Sequence, residues 1–383
     1  MRLRETVDFR RFTVTRHCGL PESVFPLSKP PDTVNSWRVG TYKTMNGALA
    51  KSLIALLLAG LICSLLPMPA RAAAEPDFTL VVLPDTQYYA KDYPGTLKAQ
   101  VDWIIANRTR LNIVYVAHVG DVVDSSKSRP QWENAAKALN RLEDPTLTGL
   151  PDGIPFGVVP GNHDHAGPGE AKFFNQYFGV PKFEKKPWYG GHFGSTNNSH
   201  FDRFSAGGTD FVVVHVDFRT ADKKTNAENA VGYVVAAAAD YLAKKTDSVE
   251  KIDFSAEDAW ADGVLKANAN RRAILVTHCA VNAQGQFNQR GRELYDHLKS
   301  NPNLFLILCG HVAGEAQRAD IFQGRTIHSC LADYQKEANG GDGWLRLYQF
   351  SPANHRIAVR TYSPTLNKWR TNPASQFNLD YAN

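Results

Sequence analysis

The sequence predicts an α/β fold, and three observations carry that prediction. Short β-rich apolar runs alternate with segments whose apolar residues recur at helical spacing. Five of those runs end in a residue able to ligate a cation. No Pro/Ser-rich linker and no internal repeat divides residues 75–383, so residues 73–383 read as one domain.

Phe78–Leu83 (FTLVVL) ends at Pro84 and reads as a buried strand. Thr96–Asn107 places Leu97, Val101, Ile104 and Ile105 on one helical face. Ile113–Val119 is a second strand, Gln131–Leu142 a second helix and Phe156–Val159 a third strand. Ser199–Phe204 and Asp210–Asp217 flank Gly207-Gly208, a hairpin signal. Ser255–Ala267 and Arg290–Leu298 read as helices, Arg272–Thr277 and Leu304–Leu308 as strands. Three further strands, Arg325–Ser329, Trp344–Phe350 and Ile357–Tyr362, end the chain. Residues 221–251 interrupt the pattern. They are rich in Ala, Lys, Asp and Asn, with helical spacing near Gly232–Lys244, and read as an insertion, either a lid or a solvated peripheral helix.

The N-terminal region differs. Leu49–Leu66 is nearly all apolar, Lys51 stands near its start, and Ala70-Arg71-Ala72 follows. That order fits a secretory signal peptide over residues 45–72. A membrane anchor is the competing reading, and the Ala-x-Ala site directly after the run favours cleavage, so no permanent anchor is expected. Residues 1–44 read as a gene-model extension or a disordered leader, with translation starting at Met45. The expected location is secreted or periplasmic.

Removing the leader changes the charge. The whole chain has 43 Lys+Arg and 38 Asp+Glu; residues 1–72 hold 10 and 4 of these, leaving 33 against 34. A mature net charge of 33 − 34 = −1 lacks the positive excess of a general nucleic-acid binder. Cys279, Cys309 and Cys330 remain after cleavage, and their apolar surroundings favour buried free thiols.

The chemistry is concentrated at strand ends. The first strand runs into Asp85-Thr86-Gln87, the second into Gly120-Asp121-Val122-Val123-Asp124 and the third into Gly161-Asn162-His163-Asp164. The strand at 272–277 runs into His278, and that at 304–308 into Cys309-Gly310-His311. Singly, each is ordinary turn or cap chemistry. Together, at the carboxyl edge of an α/β sheet, they describe a ligand site with oxygen and nitrogen donors. The stretch Trp188–Phe193 is either loop packing or a surface for stacking a ring.

This ordered set resembles the five blocks of calcineurin-like metallophosphoesterases over residues 78–315. The resemblance implies two packed mixed β-sheets flanked by α-helices and two divalent ions, with Mn, Fe, Zn and Mg as candidates. It implies that Asp121 bridges the ions, that Asn162, His278 and His311 complete one site, and that Asp85 holds the other. His163 would be the acid beside the substrate and Asp164 its orienting partner. A metal-activated hydroxide would attack the phosphorus of a small phosphomonoester or phosphodiester. The alternatives are a catalytically weak phosphate-binding protein with the same fold, and a nuclease.

Two departures fall on the Asp85 site. Gln87 and Ala313 stand where the family carries histidines. Gln87 and Asp124 are candidate oxygen ligands there, and Glu315 is a further stand-in. An all-oxygen site favours Mn²⁺, Mg²⁺ or Ca²⁺ over Zn²⁺.

Overall fold

The computed structural model describes residues 75–167, 170–218 and 253–381. The leader, the apolar run with its Ala70-Arg71-Ala72 site, and the segment 221–251 lie outside them.

Two seven-stranded sheets face each other. The first is built from β1 (Phe78–Leu83), β2 (Ile113–His118), β3 (Phe156–Val158) and four C-terminal strands. The second begins with β4 (Tyr189–His192), β5 (His200–Ala206), β6 (Thr209–Val216), β7 (Arg272–Thr277) and β8 (Leu304–Cys309). It is completed by β9 (Gly314–Phe322) and β10 (Arg325–Asp333). The chain then returns to the first sheet through β11 (Leu345–Ser351), β12 (Arg356–Ser363), β13 (Lys368–Arg370) and β14 (Phe377–Asp380).

The strand orders are β13-β12-β11-β1-β2-β3, with β14 also on β12, and β4-β5-β6-β7-β8-β10-β9. Strands β1, β2 and β3 run parallel, as do β6, β7, β8 and β10. The remaining pairs are antiparallel, so both sheets are mixed, as the family resemblance implied.

Apolar character runs straight through β1 because both of its faces are buried. Phe78, Leu80 and Val82 meet Phe211, Ile274 and Leu306 between the sheets. Val81 and Leu83 face outward, against a layer containing Leu97, Val101, Trp132 and Leu139. That layer is the helices Pro94–Leu111 and Arg129–Leu139. The outer face of the second sheet is covered by helices Ser255–Ala267 and Gln289–Leu298 through Ala261, Leu265, Leu294 and Leu298.

The predicted elements recur with small boundary changes. The largest changes are β10, which runs four residues beyond Ser329, to Asp333, and the first long helix, which runs four residues beyond Asn107, to Leu111. Strand β9 was missed. It lies at the edge of its sheet, and its polar sequence GEAQRADIF carries little apolar signal. Cys279, Cys309 and Cys330 are buried free thiols. No helix among the described residues is long and apolar enough to cross a membrane.

Candidate metal centre

Parallel strands deliver their carboxyl ends to one edge, and the site residues sit just past those ends. Asp85 follows β1, Asp121 β2, Asn162 β3, His278 β7 and His311 β8. Asp121 and His311 have left-handed backbones, φ 49° and 70°, which turns their side chains out of the strand direction. The preceding glycines allow close approach. A Cβ on Gly161 would lie 2.2 Å from Asp121 Oδ1, and one on Gly310 2.1 Å from Asp85 Oδ1.

Asp121, His278 and His311 place one ligand atom each within 4.8 Å of one another. His278 Nδ1 donates to the Val119 carbonyl at 2.9 Å, so Nε2 is the nitrogen turned toward the cluster. Around Nε2 stand Asn162 Oδ1 at 3.0 Å, His311 Nδ1 at 3.1 Å and Asp121 Oδ1 at 3.3 Å. Three atoms able to ligate a cation thus surround Nε2.

The electrostatics agree. Burial opposes protonation of His278, but the Asp121 carboxylate overrides it and raises the pKa. Burial likewise works against ionised Asp121, and His278 outweighs it, lowering the pKa. Burial and His278 together push His311 down to about 3, leaving a neutral imidazole. A field that holds a proton on His278 also favours a metal ion, whose binding displaces that proton.

Asp85 accepts the His311 backbone N–H through both carboxylate oxygens, at 3.2 and 3.1 Å. Burial raises its pKa well above the usual carboxylate range, and Asp333 and Asp121 add to the rise. Gln87 is 1% exposed, and its Oε1 has no hydrogen-bond partner. Gln87 follows Asp85 by two residues in the chain, and an orphaned buried carbonyl is a donor that a cation could complete.

The remaining candidates sit differently. Asp124 turns its carboxylate to Lys91 at 2.9 Å, while its backbone carbonyl accepts from His163 Nδ1 at 2.8 Å. The expected orienting partner of His163, Asp164, instead accepts the N–H groups of Gly161, Val122 and Val123 at 2.8, 3.0 and 3.1 Å. It therefore clasps two ligand loops together. Burial, and then Asp121, raise Asp164 to about 7. Glu315 is committed elsewhere: it pairs with the fully buried Arg346 and accepts from Tyr334 and Ser375. Trp188 is core, and Tyr189 stacks on Phe183 and His200, so this stretch packs inward.

Sequence reasoning missed Asp333. It ends β10 and is 1% exposed, and its Oδ2 accepts from Gln335 Nε2 at 2.8 Å. The missed signal was Leu331-Ala332, which continues the strand past Ser329 and makes Asp333 another strand-end carboxylate.

Two mixed sheets in a helix-flanked sandwich thus gather Asp, Asn and His side chains at their carboxyl edge, where they could hold a divalent cation. Residues 78–315 match the calcineurin-like phosphoesterase family, and the chain belongs to it. That family consists of phosphoesterases that use divalent metals. The uncharacterized protein YvnB of Bacillus subtilis (strain 168) is 34% identical over 301 residues, covering 76% of this chain and 20% of its own length. The chain thus spans about a fifth of that relative. A dimetal phosphatase from Danio rerio is 12% identical, with 80% of this chain and 100% of that chain covered and a TM-score of 0.48. Purple acid phosphatase PPD1 from yellow lupin seeds is 14% identical, with 82% and 55% covered and a TM-score of 0.44.

Proposed function

We propose that the chain is an exported metallophosphoesterase that hydrolyses small phosphomonoesters or phosphodiesters, with His163 as the acid. The observation that supports this most is the placement of His163. Its backbone N–H donates to Asp121 Oδ1 at 2.9 Å, so it is tied to the cluster. Its side chain is 28% exposed, whereas those of Asp121 and His278 are buried. It stands beside the ligands, within reach of solvent.

Bound divalent cations would supply a nucleophile from water near neutral pH and neutralise phosphate oxygens. Asp121, Asn162, His278 and His311 would hold one ion, and Asp85 with Asp121 the other. Asp124 fixes the proton of His163 on Nδ1, which leaves Nε2 to exchange a proton with the leaving oxygen. Burial lowers the pKa of His163, but Asp121 and the Asp124 carbonyl outweigh it, so the net shift is upward. The imidazole is therefore kept protonated to higher pH than a free histidine, as an acid requires. Lys91 pins Asp124 from outside.

Export is supported by Leu49–Leu66 followed by Ala70-Arg71-Ala72. The test is hydrolysis of a chromogenic phosphate ester. Exhaustive chelation should abolish activity and Mn²⁺ should restore it. Full activity in metal-free protein would overturn the reading.

A further inference from the structure

The Asp85 half of the centre has no imidazole at position 87 or 313, yet it is as deeply buried as the other half. Asp85, Gln87 and Asp333 are each 1% exposed. Among the described residues, neither Asp85 nor Asp333 has an ion-pair partner. Two buried carboxylates without a counter-charge are costly to ionise, and a cation would offset that cost.

The sheet register explains how Asp333 arrives there. Strand β10 runs parallel to β8, with Leu331 opposite Cys309. Two residues further along each strand stand Asp333 and His311. Adjacent strands lie roughly 4.8 Å apart, so Asp333 reaches the same edge one strand over.

One side chain records the closeness of the two acids. Gln335 Nε2 lies 2.8 Å from Asp333 Oδ2, 3.4 Å from Asp85 Oδ2 and 3.3 Å from the His311 carbonyl. The Gln335 backbone N–H donates to Asp333 Oδ1 at 2.8 Å, which fixes the orientation of that carboxylate. Gln87 Oε1, two residues beyond Asp85 in the chain, is buried without a hydrogen-bond partner and is the candidate third oxygen. Gln87 opens the helix Gln87–Lys91, whose preceding residue, Thr86, donates its N–H to the Asp121 carbonyl at 3.1 Å.

We propose that Asp333 is a metal ligand which, with Asp85 and Gln87, builds an all-oxygen site for a hard divalent cation in place of the missing histidines. The proposal rests on the metallophosphoesterase reading and extends it. Hard cations such as Mn²⁺ and Mg²⁺ take oxygen donors readily, whereas Zn²⁺ gains most from nitrogen and sulfur. The centre is thus asymmetric, one ion held partly by imidazole and the other by oxygen alone.

The experiment is Mn²⁺ titration followed by electron paramagnetic resonance, with metal content after dialysis, on wild type, D333N, D333H and H278A. Wild type should bind two Mn²⁺ per chain. Changes even outside the ligand shell weaken metal binding about 10- to 100-fold, so D333N should weaken one Mn²⁺ by at least about tenfold and spare the other. D333H should shift that site toward Zn²⁺ over Mg²⁺. A folded D333N that binds both ions with wild-type affinity overturns the proposal. Should D333N fail to fold, a folded D333H with unchanged metal preference overturns it equally. Wild type holding one ion, lost in H278A, overturns the role of Asp333 and leaves the phosphoesterase reading standing. Wild type binding no divalent ion removes that reading itself.

Discussion

Two buried clusters in this protein each contain two histidines and an aspartate, and they behave oppositely. At the strand ends, the rings of His278 and His311 lie 4.8 Å apart at 68°, and the Asp121 carboxylate lies within 4.8 Å of a nitrogen of each. Between the sheets, the rings of His200 and His215 lie 4.3 Å apart at 7°, with Asp202 nearby. The second pair is stacked because His200 and His215 are direct cross-strand neighbours on β5 and β6. Parallel rings send their nitrogen lone pairs in parallel, so they do not converge on one ion.

The two clusters also differ in donors. Tyr115 donates to Asp202 Oδ2 at 2.5 Å and lies 3.0 Å from His215 Nε2. His200 Nδ1 donates to the Asn197 carbonyl at 3.0 Å. Burial keeps both imidazoles neutral: it lowers His200 to about 3 and places His215 well below its ordinary value. Burial raises Asp202 to about 8, so this cluster is a neutral polar core. At the strand ends, by contrast, three candidate ligand atoms surround His278 Nε2. The lesson is that residue type and burial alone do not separate a candidate metal site from a polar core; the direction in which the side chains point does.

The largest effect that could break this comparison comes from exchanging one histidine in each cluster. H278A should lose metal and fall to background activity, while H215Q keeps both metal and activity. Metal content by mass spectrometry decides it, and loss of an ion in H215Q would make the inter-sheet cluster a metal site after all.

A smaller effect separates ligand from acid within the metal centre. H163N should lower kcat by about 10²- to 10⁴-fold, the usual contribution of a positioned acid, with metal content unchanged. The high-pH limb of the kcat profile should disappear with it. A drop in bound metal would instead make His163 a ligand.

The subtlest test concerns the neutral core. Burial holds the Asp202 carboxyl at about 8 in the folded chain against an ordinary value of 3.8, so between those values the folded chain binds a proton that the unfolded chain does not. Its stabilising effect is present at low pH and is lost as pH rises toward about 8. The histidines act in the opposite sense below their ordinary value of 6.5, which makes the window from 6.5 to 8 diagnostic. There, wild-type unfolding free energy should fall by up to about 1.4 kcal/mol per pH unit relative to D202N. Denaturant titrations showing parallel pH profiles for the two proteins would mean that Asp202 is ionised in the folded state.

Much of the candidate centre was legible in the sequence because its residues follow the ends of parallel strands, and a strand end is a local signal. Asp85, Asp121, Asn162, His278 and His311 could be picked out in this way, each immediately after a β-rich apolar run. Their glycines were visible too, although the close approaches that require them were not. Asp333 escaped because polar residues interrupt the apolar character of β10 at His328 and Ser329. The strand continues there through its pairing with β8 and β9, and sheet pairing is not a property of any short window.

Asp124 and Asp164 show the same limit from the other side. By residue type both read as ligand or orienting carboxylate, since the spacing between them and His163 is all the sequence offers. Only the folded chain sets Lys91 against the Asp124 carboxylate and three backbone N–H groups against Asp164. The sequence by itself determined which strand ends carry the candidate ligands, because strand-end chemistry is local, and the resemblance of those blocks implied the family. Tertiary structure alone decided which carboxylates face a cation and which face a lysine or an amide, because those partners come from elements distant in the chain and from lone-pair directions that only the packed sheets define.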